Sequence, residues 1–162
     1  MAVMDQVVAV LSGLKQRFPT YSVVINGHSL GAAKAMLTGA YLSKFHSKDI
    51  PVAAVYATAQ PPVGNTEFNQ WLADCIGPEK VVRVVSSNDI VPYARASSTV
   101  QHAANVIEVF NPDTSKNEWR RCMGPLDPKC SAGVPCQSRS WKDHMRMGGI
   151  YMGAKICNIF DL

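Results

Sequence analysis

SVVINGHSLGAAK, from Ser22 to Lys34, is the stretch whose reading decides the fold. Val23, Val24 and Ile25 are three β-branched residues in a row and read as a strand. Asn26-Gly27-His28-Ser29 is a tight turn, and the alanine-rich run after Gly31 opens a helix. Inside lies G-x-S-x-G, as Gly27-His28-Ser29-Leu30-Gly31. That spacing suits a serine nucleophile on a sharp strand-to-helix turn with its hydroxyl exposed. Gly27 and Gly31 are expected to remove side chains that would collide as strand and helix close around the turn. A helix starting just behind Ser29 turns its N-terminal dipole and the Leu30 N–H toward a developing oxyanion. An ordinary glycine turn can show the same five residues; the strand before and the helix after favour the nucleophile.

Outward from this turn, the chain alternates helices and strands. Val3, Val7, Val10, Leu11, Leu14 and Phe18 recur by threes and fours, so residues 1–18 form an amphipathic helix stopped by Pro19. The helix after the serine runs to about Lys44, with Ala33, Met36, Leu37, Ala40 and Tyr41 toward the sheet. VAAVYAT, Val52 to Thr58, is a continuous apolar run, as expected of a strand buried on both faces. Asn65 caps a short helix through Trp71 and Leu72. VVRVV, Val81 to Val85, is a third strand followed by the polar turn Ser86-Ser87-Asn88-Asp89, and Val106 to Phe110 reads as a fourth. Residues 111–143 have no periodicity, and Met145 to Phe160 reads as a terminal helix weakened by Gly148, Gly149 and Gly153. This alternation predicts one α/β domain with a largely parallel sheet and active residues at the carboxyl ends of its strands.

Composition narrows the function classes. A chain of 162 residues fits one domain with an ample core. No apolar run is long enough to span a bilayer. The net charge of +4 is spread out. Arg120-Arg121 and the Arg139–Arg146 stretch are too sparse for a nucleic-acid footprint and read as solvated surface. The five cysteines, Cys75, Cys122, Cys130, Cys136 and Cys157, show no zinc-site spacing. Their clustering in the long loop suggests disulfides and an oxidising compartment, with Cys122 and Cys130 the nearest pair to staple it. The first residues, however, lack the charged and apolar regions of a signal peptide.

A serine nucleophile needs a base, and the base an orienting carboxylate. In the strand–turn–helix arrangement the order along the chain is serine, acid, histidine. His28 adjoins the nucleophile, and His46 lies at the far end of the following helix. His102 and His144 remain, with spacing favouring His144 only slightly. Asp89 leaves the third strand at the same sheet edge as Ser29, where an orienting acid is required. Asp113 and Asp127 lie in the long loop and Asp74 in a helix, as surface charges. Asp143 adjoins His144 and is the weaker orienter.

The stretches GHSLGAA (Gly27–Ala33), ATAQPPVGN (Ala57–Asn65), RVVSSNDIVPY (Arg83–Tyr93) and DHMRMGGIYMG (Asp143–Gly153) together give a more specific signal. In this order and at these separations they resemble the C-terminal part of the fungal class 3 lipases, the Rhizomucor-type family of mono- and diacylglycerol lipases and feruloyl esterases. The resemblance covers most of the chain and implies an α/β-hydrolase fold. It implies Ser29 as nucleophile, Asp89 as orienting acid, His144 as general base and the Leu30 N–H as an oxyanion donor. His102 resembles a non-catalytic histidine that follows the acid. The Cys122–Cys130 segment resembles a loop closed by a local disulfide, and Cys157 a C-terminal cysteine that pairs with an N-terminal one.

Members of that family are considerably longer, and Met1 stands at the helix preceding the serine strand. The resemblance therefore implies one N-terminally shortened domain over residues 1–162, without several strands, the lid helix and the Ser/Thr that donates the first oxyanion hydrogen bond. Ala59 and Pro62 stand where relatives commonly carry Gly and often Arg. The implied reaction is hydrolysis of carboxyl esters, acylglycerols first and feruloyl or other esters second, in a secreted protein. It needs no metal or organic cofactor. The expected partner is a lipid or other ester substrate at an interface, with Val91–Val100 and the residues around Ile150 as acyl-pocket walls. A non-catalytic lipase fragment is the competing expectation. Oligomeric state is not legible.

Overall fold

The computed structural model describes residues 3–94, 100–123 and 127–152. Its centre is a sheet in the order β1 (Val23–His28), β2 (Val52–Thr58), β3 (Val81–Ser86), β4 (Ile107–Asn111) and β5 (Arg120–Arg121). The first four strands are mutually parallel and β5 is antiparallel to β4. Helices α2 (Leu30–Phe45) and α3 (Thr66–Ile76) make the crossovers that parallel strands require. The expected α/β sheet is therefore present, and it carries Ser29 and Asp89 out of strands β1 and β3 at the same edge.

Close packing of α2 on β2 depends on Gly39. A methyl group there would lie 2.7 Å from a Val55 methyl carbon. Ala32, Ala35, Met36, Ala40 and Leu42 fill the interface, and Leu72, Ala73 and Ile76 of α3 close it. Leu37, expected to face the sheet, is exposed instead. Ala33, Met36 and Ala40 are buried as expected, and Ala32, Ala35 and Gly39 join them on the covered face. Asn65 caps α3 as expected, accepting from the Phe68 N–H at 2.9 Å. The first helix, α1 (Val3–Arg17), has no fully buried residue, although Met4, Val8 and Leu11 pack against the core. In β2, Tyr56 is exposed, so that strand is covered less completely than its apolar run implies.

A second cluster lies under β4 and the following loop, where Val85, Phe110, Cys122, Cys130 and Val134 pack together. Cys122 and Cys130 form the disulfide expected of this loop. Cys75 and Cys136 are unpaired, and Cys157 lies outside the described residues.

Beside that disulfide runs a buried ion pair across neighbouring strands: Arg83 Nη1 to Glu108 Oε2 at 3.0 Å. Glu108 Oε1 also accepts from the Ser131 hydroxyl at 2.6 Å, tying the loop to the sheet. Burial pulls the Arg83 guanidinium down and Glu108 holds it up. Removing one partner would strand the other without water or counter-charge. Glu108→Ala is therefore expected to cost about 3–5 kcal/mol, read as a lower urea midpoint at unchanged slope. Replacing Arg83 by Met as well should recover much of the loss, and a single variant as stable as wild type would contradict the pair's role.

The segment expected as a helix from Met145 to Phe160 differs. Helix α4 (Trp141–His144) is one turn long, and β6 (Arg146–Met147) and β7 (Ile150–Tyr151) form a hairpin. Gly148 and Gly149 carry φ of 54° and 84°, a turn that side-chain-bearing residues strain to adopt. Residues 153–162 lie outside the described part.

Candidate active site

Ser29 stands between the last residue of β1 and the first of α2, with φ 57° and ψ −126°. A non-glycine residue rarely holds this conformation, and the surroundings must enforce it. The Ser29 N–H is bonded to the Thr58 carbonyl of β2 at 2.9 Å, and its own carbonyl accepts the first bonds of α2. Gly27 makes the turn possible, since a Cβ there would sit 2.2 Å from the Gly31 carbonyl oxygen. Gly31 differs from expectation: a Cβ there would meet nothing within 4 Å, so it is the Gly31 backbone that crowds Gly27. The Leu30 N–H belongs to the helix's first turn, whose amides have no partner inside the helix.

Asp89 is wholly buried at the turn after β3. Its N–H bonds the Ser86 carbonyl at 2.9 Å, and its Oδ1 accepts from the Val91 N–H at 2.8 Å. Burial pushes its carboxyl above the usual carboxylate range, while the Val91 N–H and His144 act the other way.

His144 arrives from the far end of the long loop through a backbone clamp. Ser140 N–H donates to the Asn88 carbonyl at 2.6 Å, and Ile90 N–H to the Ser140 carbonyl at 3.4 Å. The Ser138 hydroxyl adds a bond to Asn88 Oδ1 at 3.1 Å. Ser140 then caps α4, accepting from the Lys142 N–H at 3.0 Å. One turn later His144 lies with Nδ1 3.0 Å and 3.1 Å from the two Asp89 oxygens and Nε2 2.9 Å from Ser29 Oγ. The three side chains form one hydrogen-bonded line, with His144 and Asp89 out of water and Ser29 at its open end. The His28 ring lies tilted against the His144 ring, and Trp141 meets it edge-on.

The remaining candidates are not part of this line. The His102 Nε2 lies 2.8 Å from the Pro92 carbonyl. Asp143 accepts from the Thr114 hydroxyl at 3.2 Å, which anchors α4 to the loop. His46 ends α2, at the opposite end from Ser29. Asp113 and Asp127 are half-buried and cap turns. Reading the residues alone overlooked the Asn88–Ser140 clamp. Its available signal was Ser140-Trp141-Lys142-Asp143, a capping-box pattern that marks a helix start just before His144.

Of the expected acyl-pocket walls, Val91 and Pro92 are buried, Ile150 is exposed, and residues 95–99 lie outside the described part. An apolar hollow of about 360 Å³ lies elsewhere, among Leu11, Leu14, Phe18, Tyr21 and Val23. That is the start of β1, about 20 Å along the strand from the serine.

Comparison with known proteins places the chain beside fungal lipases. The family model for lipase (class 3) matches residues 1–98. A secreted mono- and diacylglycerol lipase 3 of Gibberella zeae is 28% identical over 151 residues, covering 89% of this chain and 46% of that protein. The lipase of Rhizomucor miehei is 28% identical over 153 residues, covering 93% of this chain and 41% of that protein. A solved structure of the Rhizomucor miehei triacylglyceride lipase superposes with a TM-score of 0.76 at 27% identity, covering 93% of this chain and 56% of the other. This chain spans under half the length of those two relatives.

Proposed function

The chain belongs to the class 3 lipase family, and on that premise we propose that it hydrolyses carboxyl esters of acylglycerols with Ser29, His144 and Asp89 as its catalytic residues. The observation that carries the proposal is the continuous line from Ser29 Oγ through His144 to Asp89. Ser29 Oγ attacks the acyl carbonyl carbon while His144 Nε2 takes the hydroxyl proton. Asp89 keeps the other ring proton on Nδ1, so that Nε2 presents its lone pair to the serine, and it stabilises the imidazolium that forms. The Leu30 N–H faces the tetrahedral oxyanion. The ester C–O bond then breaks, and the departing alkoxide leaves with the proton from Nε2. Water attacks the acyl-serine with the same assistance, releasing the fatty acid and returning the proton to Ser29.

Two features support the substrate class and the compartment. Leu30, Trp141, Ile150 and Tyr151, on the elements around the site, all present exposed apolar surface, which suits an ester at a lipid–water boundary. The Cys122–Cys130 disulfide suits an oxidising, extracellular setting, as does the likeness to a protein named a secreted lipase. Among the described residues no helix is long and apolar enough to cross a membrane.

The test is turnover by the purified 162-residue chain of a nitrophenyl butyrate, emulsified tributyrin and methyl ferulate. Hydrolysis of the first two, stronger on tributyrin above its solubility limit, supports the acylglycerol reading. Preference for the ferulate would move the substrate to an aromatic ester. A folded chain inert on all three would sink the enzymatic reading.

A further inference from the structure

We propose that His28 is a positioning residue for His144: its ring, fixed one peptide bond from the nucleophile, is a plate that holds the His144 imidazole in line between Ser29 and Asp89 and stabilises its cationic form. The proposal rests on the proposed triad and assigns a function to a side chain that the triad leaves unused. The two ring centroids lie 4.7 Å apart with planes inclined by 32°. Trp141 stands edge-on at 5.6 Å, so two aromatic groups contact His144 besides its hydrogen-bond partners. Because His28 ends β1 and Ser29 follows, the plate and the nucleophile move together.

Two observations separate a plate from a second acid or base. His28 Nε2 is buried and has no hydrogen-bond partner, so no proton donor or acceptor stands at that atom, and the ring's polar tie is to the His144 backbone carbonyl. The ring is also held toward its neutral form, by burial first and then by the His144 charge, against Asp89 and the His144 backbone carbonyl. His144 and Asp89 are the titrating groups that act on it. A neutral ring that turns its face toward a forming imidazolium attracts it through its π electrons, whereas a charged one would repel it. The attraction exists only once His144 has taken the Ser29 proton, so it acts on turnover and leaves substrate binding alone.

The test compares His28→Ala, which removes the plate, with His28→Phe, which keeps the ring and removes the nitrogens. Two readouts are used: the split of kcat from KM on a nitrophenyl ester, and the low-field proton NMR signal of the His144 Nδ1–H on Asp89. His28→Ala is expected to lower kcat about ten- to hundredfold with KM within about twofold, and to lose the low-field signal to exchange with water. His28→Phe should restore kcat to within about threefold of wild type and keep the signal. Wild-type kcat and signal in His28→Ala would overturn the proposal. So would a folded His28→Phe as impaired as His28→Ala, or a wild type without the low-field proton. If circular dichroism shows His28→Ala unfolded, His28→Gln, planar but not aromatic, takes its place in the same comparison. A wild type without ester turnover would remove the hydrolase reading, and the NMR comparison would still decide whether His28 holds His144.

Discussion

Ser29→Ala is expected to lower ester turnover by about four to six orders of magnitude while leaving the fold intact. The substitution removes one oxygen, whose hydrogen bond is to His144 Nε2 at 2.9 Å on the open side of the site. Because Ser29 holds a left-handed φ of 57°, alanine inherits the same strained backbone, and stability should change little. The activity loss has no such buffer. Without Oγ no acyl-enzyme forms, and only binding and the oxyanion donor remain to assist water. The measurement is initial rate on nitrophenyl butyrate, with a phosphonate ester as covalent probe. Wild type should gain one phosphonyl mass and Ser29→Ala none. Turnover in Ser29→Ala within tenfold of wild type would assign the hydrolysis to another group or to a contaminant.

Legibility in the sequence followed how locally each feature is encoded. The turn around Ser29 is built from neighbours: β-branched residues, a glycine at the crowded position and alanines after it, each with its own propensity. The parallel sheet followed from alternation, and Asp89 from the rule that functional groups leave strands at their carboxyl ends. The choice between His102 and His144 was of another kind. It depends on a path of about thirty residues held by scattered side-chain and backbone hydrogen bonds, including Asn111 Nδ2 to the Lys116 and Glu118 carbonyls, the Thr114 hydroxyl to Asp143, and the Asn88–Ser140 backbone clamp. Such bonds leave no periodic trace, so spacing favoured His144 only slightly and family resemblance separated the two histidines. The segment after Met145 misled for a physical reason. Its methionines and isoleucine suit a helix, yet two consecutive glycines can turn the chain more cheaply than they can extend one, and the hairpin results. Arg83 and Glu108 look like polar interruptions of apolar strands. Only their direct opposition in register makes them a buried pair.

Asp89→Asn is expected to separate stability from activity most sharply. Asparagine keeps the shape, and its carbonyl oxygen can still accept from the Val91 N–H, now 2.8 Å from Oδ1. Its amide, however, donates where the carboxylate accepted from Nδ1. The imidazole then carries its proton on Nε2, facing Ser29, and cannot take the serine proton; turnover should fall about ten-thousandfold. Stability moves the other way. Burial raises the Asp89 carboxyl above its unfolded value, so the folded chain binds that proton more readily than the unfolded one. The resulting stability is complete below the unfolded carboxylate range and is lost as pH rises through the folded value. At neutral pH the wild type thus bears the cost of a buried charge, and Asp89→Asn should unfold at an equal or higher temperature. That advantage should shrink as the medium is acidified below about pH 4, where Asp89 is protonated in both states. Thermal unfolding at a series of pH values, beside turnover at pH 8, measures both arms. A variant that unfolds well below wild type at neutral pH would mean that the Asp89–His144 bond outweighs the burial of the charge. One that keeps wild-type turnover would remove Asp89 from the catalytic line altogether.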